Sequence, residues 1–163
     1  MADLRPELAL DLECYRNYFL AMFKSRDTGK IEWFELHDDC PELNAPRIRA
    51  LIRKFRIITF NGRNYDIPML MLALTGATNE ELKEASDRII TRGLKPWEFE
   101  ERYNVSIPPV LDHVDIFEVA PGVATSLKIY GGRLHAPKMQ DLPIEPSALI
   151  TPAQRPSLRK YCG

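Results

Sequence analysis

Apolar and polar residues alternate along residues 7–14 (ELALDLEC), just after Pro6, and again along residues 31–37 (IEWFELH). A period of two is the pattern of a strand with one buried face. Between them, residues 15–24 (YRNYFLAMFK) are dense in aromatic and apolar side chains and read as a further strand. Residues 25–30 (SRDTGK) carry Asp and Gly where a hairpin turn wants them. The first three strands are therefore expected to form an antiparallel meander. At residue 44 the period changes. Ile48, Leu51, Ile52 and Phe55 fall at i, i+3, i+4 and i+7, a helical stripe over residues 44–55, with Asn44 placed to cap it and Pro46 in the first turn. Residues 56–60 (RIITF) read as a short strand and residues 61–65 as a polar, glycine-containing loop. Residues 66–74 (DIPMLMLAL) read as a buried helix ending at Gly76. Thr78 followed by Glu81 is a capping-box pair opening a helix over residues 79–92. Residues 94–110 show no clear period. Residues 111–119 (LDHVDIFEV) read as a strand, and residues 126–134 as a helix broken at Gly131-Gly132. Residues 136–156 are proline-rich and irregular, and residues 157–163 begin another helix. This order describes an α/β domain with a mixed sheet flanked by helices, the three-strand meander leading.

A chain of 163 residues fits one domain, and 45% hydrophobic residues can fill its core without disulfides. The three cysteines, Cys14, Cys40 and Cys162, are too widely spaced for a disulfide framework or a C-x-x-C zinc unit. Sparse, odd cysteines point to a reducing compartment, so a cytoplasmic protein is expected. No run of about 18 apolar residues suggests a membrane span. The opening residues lack the basic and then apolar pattern of a signal peptide. A net charge of −1 gives no global signature of nucleic-acid binding. Any grip on nucleic acid would be local, with metal ions supplying positive charge toward the phosphates.

The sharpest local chemistry is Leu10-Asp11-Leu12-Glu13 in the first strand. Alternation puts Asp11 and Glu13 on one face. Two adjacent carboxylates repel and resist burial, and a divalent cation between them removes both penalties. Hard oxygen ligands favour Mg²⁺ or Mn²⁺. Taken alone, the D-x-E pattern is common and reads first as a solvent-facing strand with two ordinary acids. Asp66 opens a helix after the loop that begins at Asn61, where the helix dipole alone would favour an acid. Arg47, Arg49, Arg53, Lys54 and Arg56 read as a solvated helix face rather than a phosphate site. His113 reads as a packed histidine, and His37-Asp38-Asp39-Cys40 as a polar loop past a strand end. Trp33 reads as core. Trp97 and Tyr103 stay open between packing and stacking on bases. Gly131-Gly132 lacks the strand-turn-helix setting of a phosphate loop.

Taken together, Asp11-Leu12-Glu13, the segment from Asn61 to Asp66, Asp112-His113-Val114-Asp115, Ser126-Leu127-Lys128 followed by Leu134, and Tyr161 resemble the DEDD superfamily of 3′→5′ exonucleases, which has the ribonuclease H-like fold. Tyr161 matches the tyrosine of the DEDDy branch, whose third motif reads Y-x-x-x-D. The resemblance spans nearly the whole chain. It is nearest to the proofreading exonucleases of phage and family-B-like DNA polymerases, which implies a bacteriophage origin. It implies metal-dependent hydrolysis of phosphodiester bonds at DNA 3′ ends with two Mg²⁺ or Mn²⁺ ions. The implied partners are single-stranded DNA or a frayed 3′ end, and a DNA polymerase. Asp11 is then expected to bridge both ions, Glu13 to hold the ion that activates water, and Asp66 to hold the other. Tyr161 would orient the attacking water. Asn61 would contact the primer terminus or support Asp66, and the Leu12 backbone would touch the terminal nucleotide. Lys128 and Arg133, with Lys138, would line the cleft and meet phosphates. One departure stands out: the Y-x-x-x-D aspartate would fall two residues beyond Gly163. The expectation is a single exonuclease domain over residues 1–163 that lacks its C-terminal helix and has weak or no activity by itself. A catalytically silent module of the same fold, binding nucleic acid or a polymerase, is the alternative. An RNA-directed 3′ exonuclease is a third reading.

Overall fold

The computed structural model describes residues 5–108, 111–119, 126–127, 129 and 141–163. Five strands form one mixed sheet: β1 (Glu7–Tyr15), β2 (Tyr18–Ser25), β3 (Ile31–Leu36), β4 (Arg56–Thr59) and β5 (His113–Asp115). Their order across the sheet is β3-β2-β1-β4-β5. The first three are the expected antiparallel meander, and β4 and β5 run parallel to β1. Parallel neighbours need crossovers, and helices supply them. Helix α1 (Ala45–Lys54) precedes β4. Helices α2 (Asp66–Ala73), α3 (Asn79–Arg92) and α4 (Pro96–Tyr103) lie between β4 and β5. A short helix α5 (Ile116–Val119) follows β5, and α6 (Arg155–Cys162) ends the chain after a 3₁₀ turn at Pro152–Gln154.

Alternation on β1 divides the molecule into two unequal layers. Leu8, Leu10, Leu12 and Cys14 point into the main core. There they meet Phe19, Ala21 and Phe23 of β2, Ile57 of β4, and buried residues of α1 to α4 such as Ile48, Leu70, Leu82 and Phe99. The opposite face presents Ala9, Asp11, Glu13 and Tyr15. On this face Tyr15, Tyr18, Leu20 and Met22 pack with Ile150 and with Leu158 of α6 in a smaller second core. The main core holds the fold together, and the second core fixes α6 over the acidic strand.

The local signals act as their physics requires. The Asn44 side chain accepts the Arg47 N–H at 3.1 Å. Thr78 and Glu81 form both capping-box bonds, Thr78 N–H to Glu81 Oε2 at 2.8 Å and Glu81 N–H to Thr78 Oγ1 at 3.3 Å. Every residue of α2 is buried, which is why its sequence shows no polar stripe. The region without a clear period holds α4, opened by Pro96 and anchored by fully buried Phe99.

Three expectations need correction. Residues 111–119 do not form one strand. The strand stops at Asp115, whose carboxylate accepts the Phe117 N–H at 3.1 Å and starts α5. The final helix begins at Arg155 rather than residue 157, with Pro156 in its first turn. Trp33 is not core but 46% exposed. It lies on edge strand β3 opposite Met22, with the Arg159 guanidinium 5.6 Å from its ring centre. Most of the segment expected to break at Gly131-Gly132 lies outside the described residues. Among the described residues no helix is long and apolar enough to cross a membrane.

Candidate active site

Asp11 and Glu13 stand two residues apart on the central strand and share the face under α6. Ligand atoms of Asp11, Glu13 and Cys162 all lie within 4.8 Å of one another. Cys162 comes from the last turn of α6, and its thiol donates to Asp11 Oδ2 at 3.2 Å. Polar anchors bring α6 there. Arg159 reaches both carboxylate oxygens of Glu35 at 2.9 and 3.0 Å, and the same Glu35 accepts the Tyr18 hydroxyl at 2.6 Å. Asn17, in the two-residue turn between β1 and β2, clasps the chain before α6. It donates to the Ile150 carbonyl at 2.9 Å and accepts the Ile150 N–H at 2.8 Å. The Tyr15 hydroxyl donates to the Ile144 carbonyl at 3.2 Å.

Asp66, the first residue of α2, approaches from the main-core side and is buried. It lies outside the tight group of ligand atoms, yet its charge couples with that of Asp11. Burial raises the Asp66 carboxyl well above the usual carboxylate range, and the charges of Asp11 and Asp115 add to this. Asp11 is raised as well, first by burial of its carboxyl. The residue as a whole is nevertheless exposed, so water reaches it. Hydrogen bonds from the Cys162 thiol and the Leu12 backbone favour its charged form. Glu13 is pushed up to about 8 by burial and then by the Asp11 charge. Burial and the surrounding acids also push the Cys162 thiol up, so it stays a protonated donor. Among the described residues no lysine or arginine forms an ion pair with Asp11, Glu13 or Asp66.

The loop between β4 and α2 sets where Asp66 sits. Asn61 takes the left-handed conformation, with φ 61°, which Asn tolerates better than most residues. Its side-chain oxygen accepts from Asn64 Nδ2 at 2.7 Å. At Gly62 an added Cβ would run into Oγ1, Cβ and Cγ2 of buried Thr59, so glycine lets the loop turn back on β4. The Gly62 carbonyl accepts the Ile67 N–H at 2.8 Å, which ties the loop to the start of α2. Asp115, only 3% exposed, accepts the Asn61 N–H at 2.7 Å and the Arg63 N–H at 2.9 Å.

The structure thus brings together Asp11 and Glu13, with Asp66 beside them. Tyr161 is half-buried on α6, next to Cys162, and near enough to Tyr15 for their charges to interact. The Leu12 side chain is buried in the main core, so only its backbone is available near Asp11 and Asp66. Asn61 braces its own loop. Lys128, Arg133 and Lys138 lie outside the described residues. The basic helix face is largely engaged within the chain: Arg47 pairs with Glu32 at 2.7 and 2.8 Å, and Arg49 donates to the Leu74 carbonyl at 3.2 Å. His113 is packed as expected, sharing a hydrogen bond with Thr59 at 2.8 Å, and burial holds its pKa below the usual histidine value. Sequence reasoning missed Cys162 and Asp115 as parts of this region. The first was visible only as the neighbour of Tyr161, and the second only as an acid within the strand expected over residues 111–119, named in the resemblance but given no role.

Comparison with protein-family models, with curated proteins and with solved structures gives no match for this chain. The site must therefore be judged on its chemistry. Asp11, Glu13 and Asp66 offer hard oxygen donors, raised in pKa and, among the described residues, without a lysine or arginine ion-pair partner. That donor set fits a divalent cation such as Mg²⁺ or Mn²⁺, whose binding would release protons from the raised carboxyls. The sulfur of Cys162 is a soft donor that neither ion requires.

Proposed function

We propose that this chain is a metal-dependent 3′→5′ exonuclease built on a ribonuclease H-like sheet and acting at DNA 3′ ends. The observation that carries this reading is the group of carboxylates on β1 and at the start of α2, each raised in pKa and none paired with a lysine or arginine among the described residues. Such repulsion is costly for a merely structural site, and it fits a site meant for divalent cations. The sheet order supports the same reading. A meander leads, Asp11 and Glu13 lie on the central strand of the five-stranded sheet, and Asp66 opens the helix after the first parallel neighbour.

Two bound Mg²⁺ or Mn²⁺ ions would supply the charge that activates water and stabilises the leaving 3′ oxygen. Asp11 and Glu13 would hold them from β1, and Asp66 from α2. Tyr161, carried on α6, would orient the attacking water with its hydroxyl. The Leu12 backbone lies between the acids, where it would meet a terminal nucleotide, and Asn61 would keep the Asp66 loop in place. The substrate is single-stranded DNA or a frayed 3′ end in a cytoplasmic setting, in association with a DNA polymerase.

The test uses 5′-labelled single-stranded DNA with Mg²⁺ or Mn²⁺, the chain as it stands and in any longer form in which it occurs. Asp11→Asn, close in volume and uncharged, is the control. Stepwise shortening from the 3′ end, abolished by EDTA and by the substitution, is the expected result. No shortening, together with no Mn²⁺ binding by calorimetry, refutes the reading. Retained DNA binding in that case would identify a silent module of the same fold. Preferential shortening of an RNA strand would reassign the substrate.

A further inference from the structure

We propose that Asp115 is a positioning residue of this site: its carboxylate ties down the loop between β4 and α2 and thereby fixes Asp66 beside Asp11. The inference rests on the exonuclease reading for its catalytic consequence, but not for its structural one.

Three observations carry it. First, Asp115 is among the few charged residues that are buried, and each of its oxygens is taken by backbone amides. Oδ1 accepts the Asn61 N–H at 2.7 Å and the Phe117 N–H at 3.1 Å, and Oδ2 accepts the Arg63 N–H at 2.9 Å. Second, two of those amides flank Gly62, whose carbonyl accepts the Ile67 N–H at 2.8 Å at the start of α2. An unbroken path of short bonds therefore runs from the end of β5 through the loop to the helix turn that carries Asp66. Third, the loop needs holding. Asn61 sits at φ 61°, and Gly62 is pressed against Thr59.

The choice of residue is chemically specific. Three N–H donors converge on one side chain, and an ionised carboxylate is acceptor-only with room for all three. An asparagine has one acceptor oxygen, and its amide group would face at least one N–H donor to donor. The acid is buried with another acid close by, since its charge contributes to the raised pKa of Asp66. A neutral acceptor would avoid that repulsion but could not bind all three amides. The pattern is that of a supporting shell which orients a ligand residue without touching substrate.

The test compares wild type with Asp115→Asn, which preserves volume, and Asp115→Ser, a smaller acceptor that keeps a reading available if the first variant folds poorly. Amide hydrogen exchange at Asn61, Arg63 and Ile67 is read without metal or substrate. Exchange at these positions is expected to quicken about tenfold or more, while amides in α1 keep their rates. Mn²⁺ affinity and kcat on single-stranded DNA are expected to fall about 10- to 100-fold, as for other supporting-shell losses, with KM changed less than about threefold. Thr78→Ala, which removes a helix cap away from this loop, serves as a variant of lowered stability whose kcat stays at the wild-type value. Unchanged exchange at Asn61 and Arg63 overturns the proposal, and so does faster exchange with unaltered Mn²⁺ affinity and kcat. If the wild type neither binds Mn²⁺ nor hydrolyses DNA, the exonuclease reading falls. The positioning claim is then decided by exchange alone, loss of protection at Ile67 supporting it and retention refuting it.

Discussion

The acids of the site should make the metal-free protein less stable as pH rises, and Glu13 should account for much of the effect. Burial and the Asp11 charge push its pKa from an ordinary 4.5 to about 8. An acid whose pKa is higher in the folded chain than in the unfolded chain contributes stability that is fully present below the unfolded value. That stability drains away as pH climbs through the folded value. The window is therefore about pH 4.5 to 8. At ~1.4 kcal/mol per pH unit the displacement is worth at most about 5 kcal/mol. Glu13 is half-buried and water relaxes part of the repulsion, so about 2–3 kcal/mol is the working figure. Glu13→Gln keeps the shape and removes the titration. Urea unfolding at several pH values from 4 to 9, with EDTA present, should show the variant level with wild type near pH 4.5 and more stable by that amount at pH 8–9. The comparison between variants cancels the opposite effect of acids such as Glu32 and Glu84, whose pKa values are lowered by arginine partners. Adding Mn²⁺ should reverse the order at high pH, since a ligand at about 100 times its Kd stabilises by about 2.7 kcal/mol. A wild-type protein that gains stability relative to Glu13→Gln between pH 5 and 8 without metal would refute the electrostatic picture of the site.

Two further perturbations probe what holds the site in place. Gly62→Ala forces a methyl group into the stiff, buried side chain of Thr59, and should cost about 1–3 kcal/mol in denaturant unfolding along with weaker Mn²⁺ binding. A neutral effect would show that the loop has room to shift. Asn17→Ala removes both bonds of the clasp on Ile150 and leaves a buried residue's backbone groups unsatisfied, at about 1–3 kcal/mol. Limited proteolysis should then cut preferentially before α6, and an unchanged cleavage pattern would show that Glu35 and Leu158 suffice to dock the helix.

Much of the fold could be read from the sequence because its signals are local. Alternation on β1 and β3, the stripe on α1 and the capping box of α3 each concern neighbours within a turn or a pleat. What could not be read depends on distant partners. Residues 111–119 alternate well enough for a strand, yet the Asp115 carboxylate bends the chain by accepting Phe117, Asn61 and Arg63. Nothing near Asp115 in sequence announces the loop some fifty residues earlier. Trp33 resembles a core residue by type, but it lies on an edge strand whose outer face α6 covers only partly. The candidate site follows the same rule. The pairing of Asp11 and Glu13 is a local consequence of the strand period, and the place of Asp66 at a helix start is legible from the glycine loop. Cys162 enters the group only because Asn17, Glu35 and Leu158 dock α6 from afar.

These contrasts also explain how one strand serves two opposed demands. On β1 the leucines bury their side chains on one face, while two residues of like charge crowd the other at a cost in stability. A strand period of two keeps these sets apart, so the face that stabilises and the face that repels do not compete for the same positions. The repelling face is then covered largely by polar anchors, namely the Glu35–Arg159 pair, the Asn17 clasp and the Tyr15 hydroxyl, with Leu158 as a small apolar footing. Polar anchors suit this position because they hold α6 over the acids without sealing them from solvent, and Asp11 as a whole is exposed. A larger apolar seal would raise the carboxylates further and obstruct the approach of a cation and a phosphodiester strand. The modest second core thus suits the proposed chemistry, and filling it further should weaken Mn²⁺ affinity before it lowers the stability of the fold.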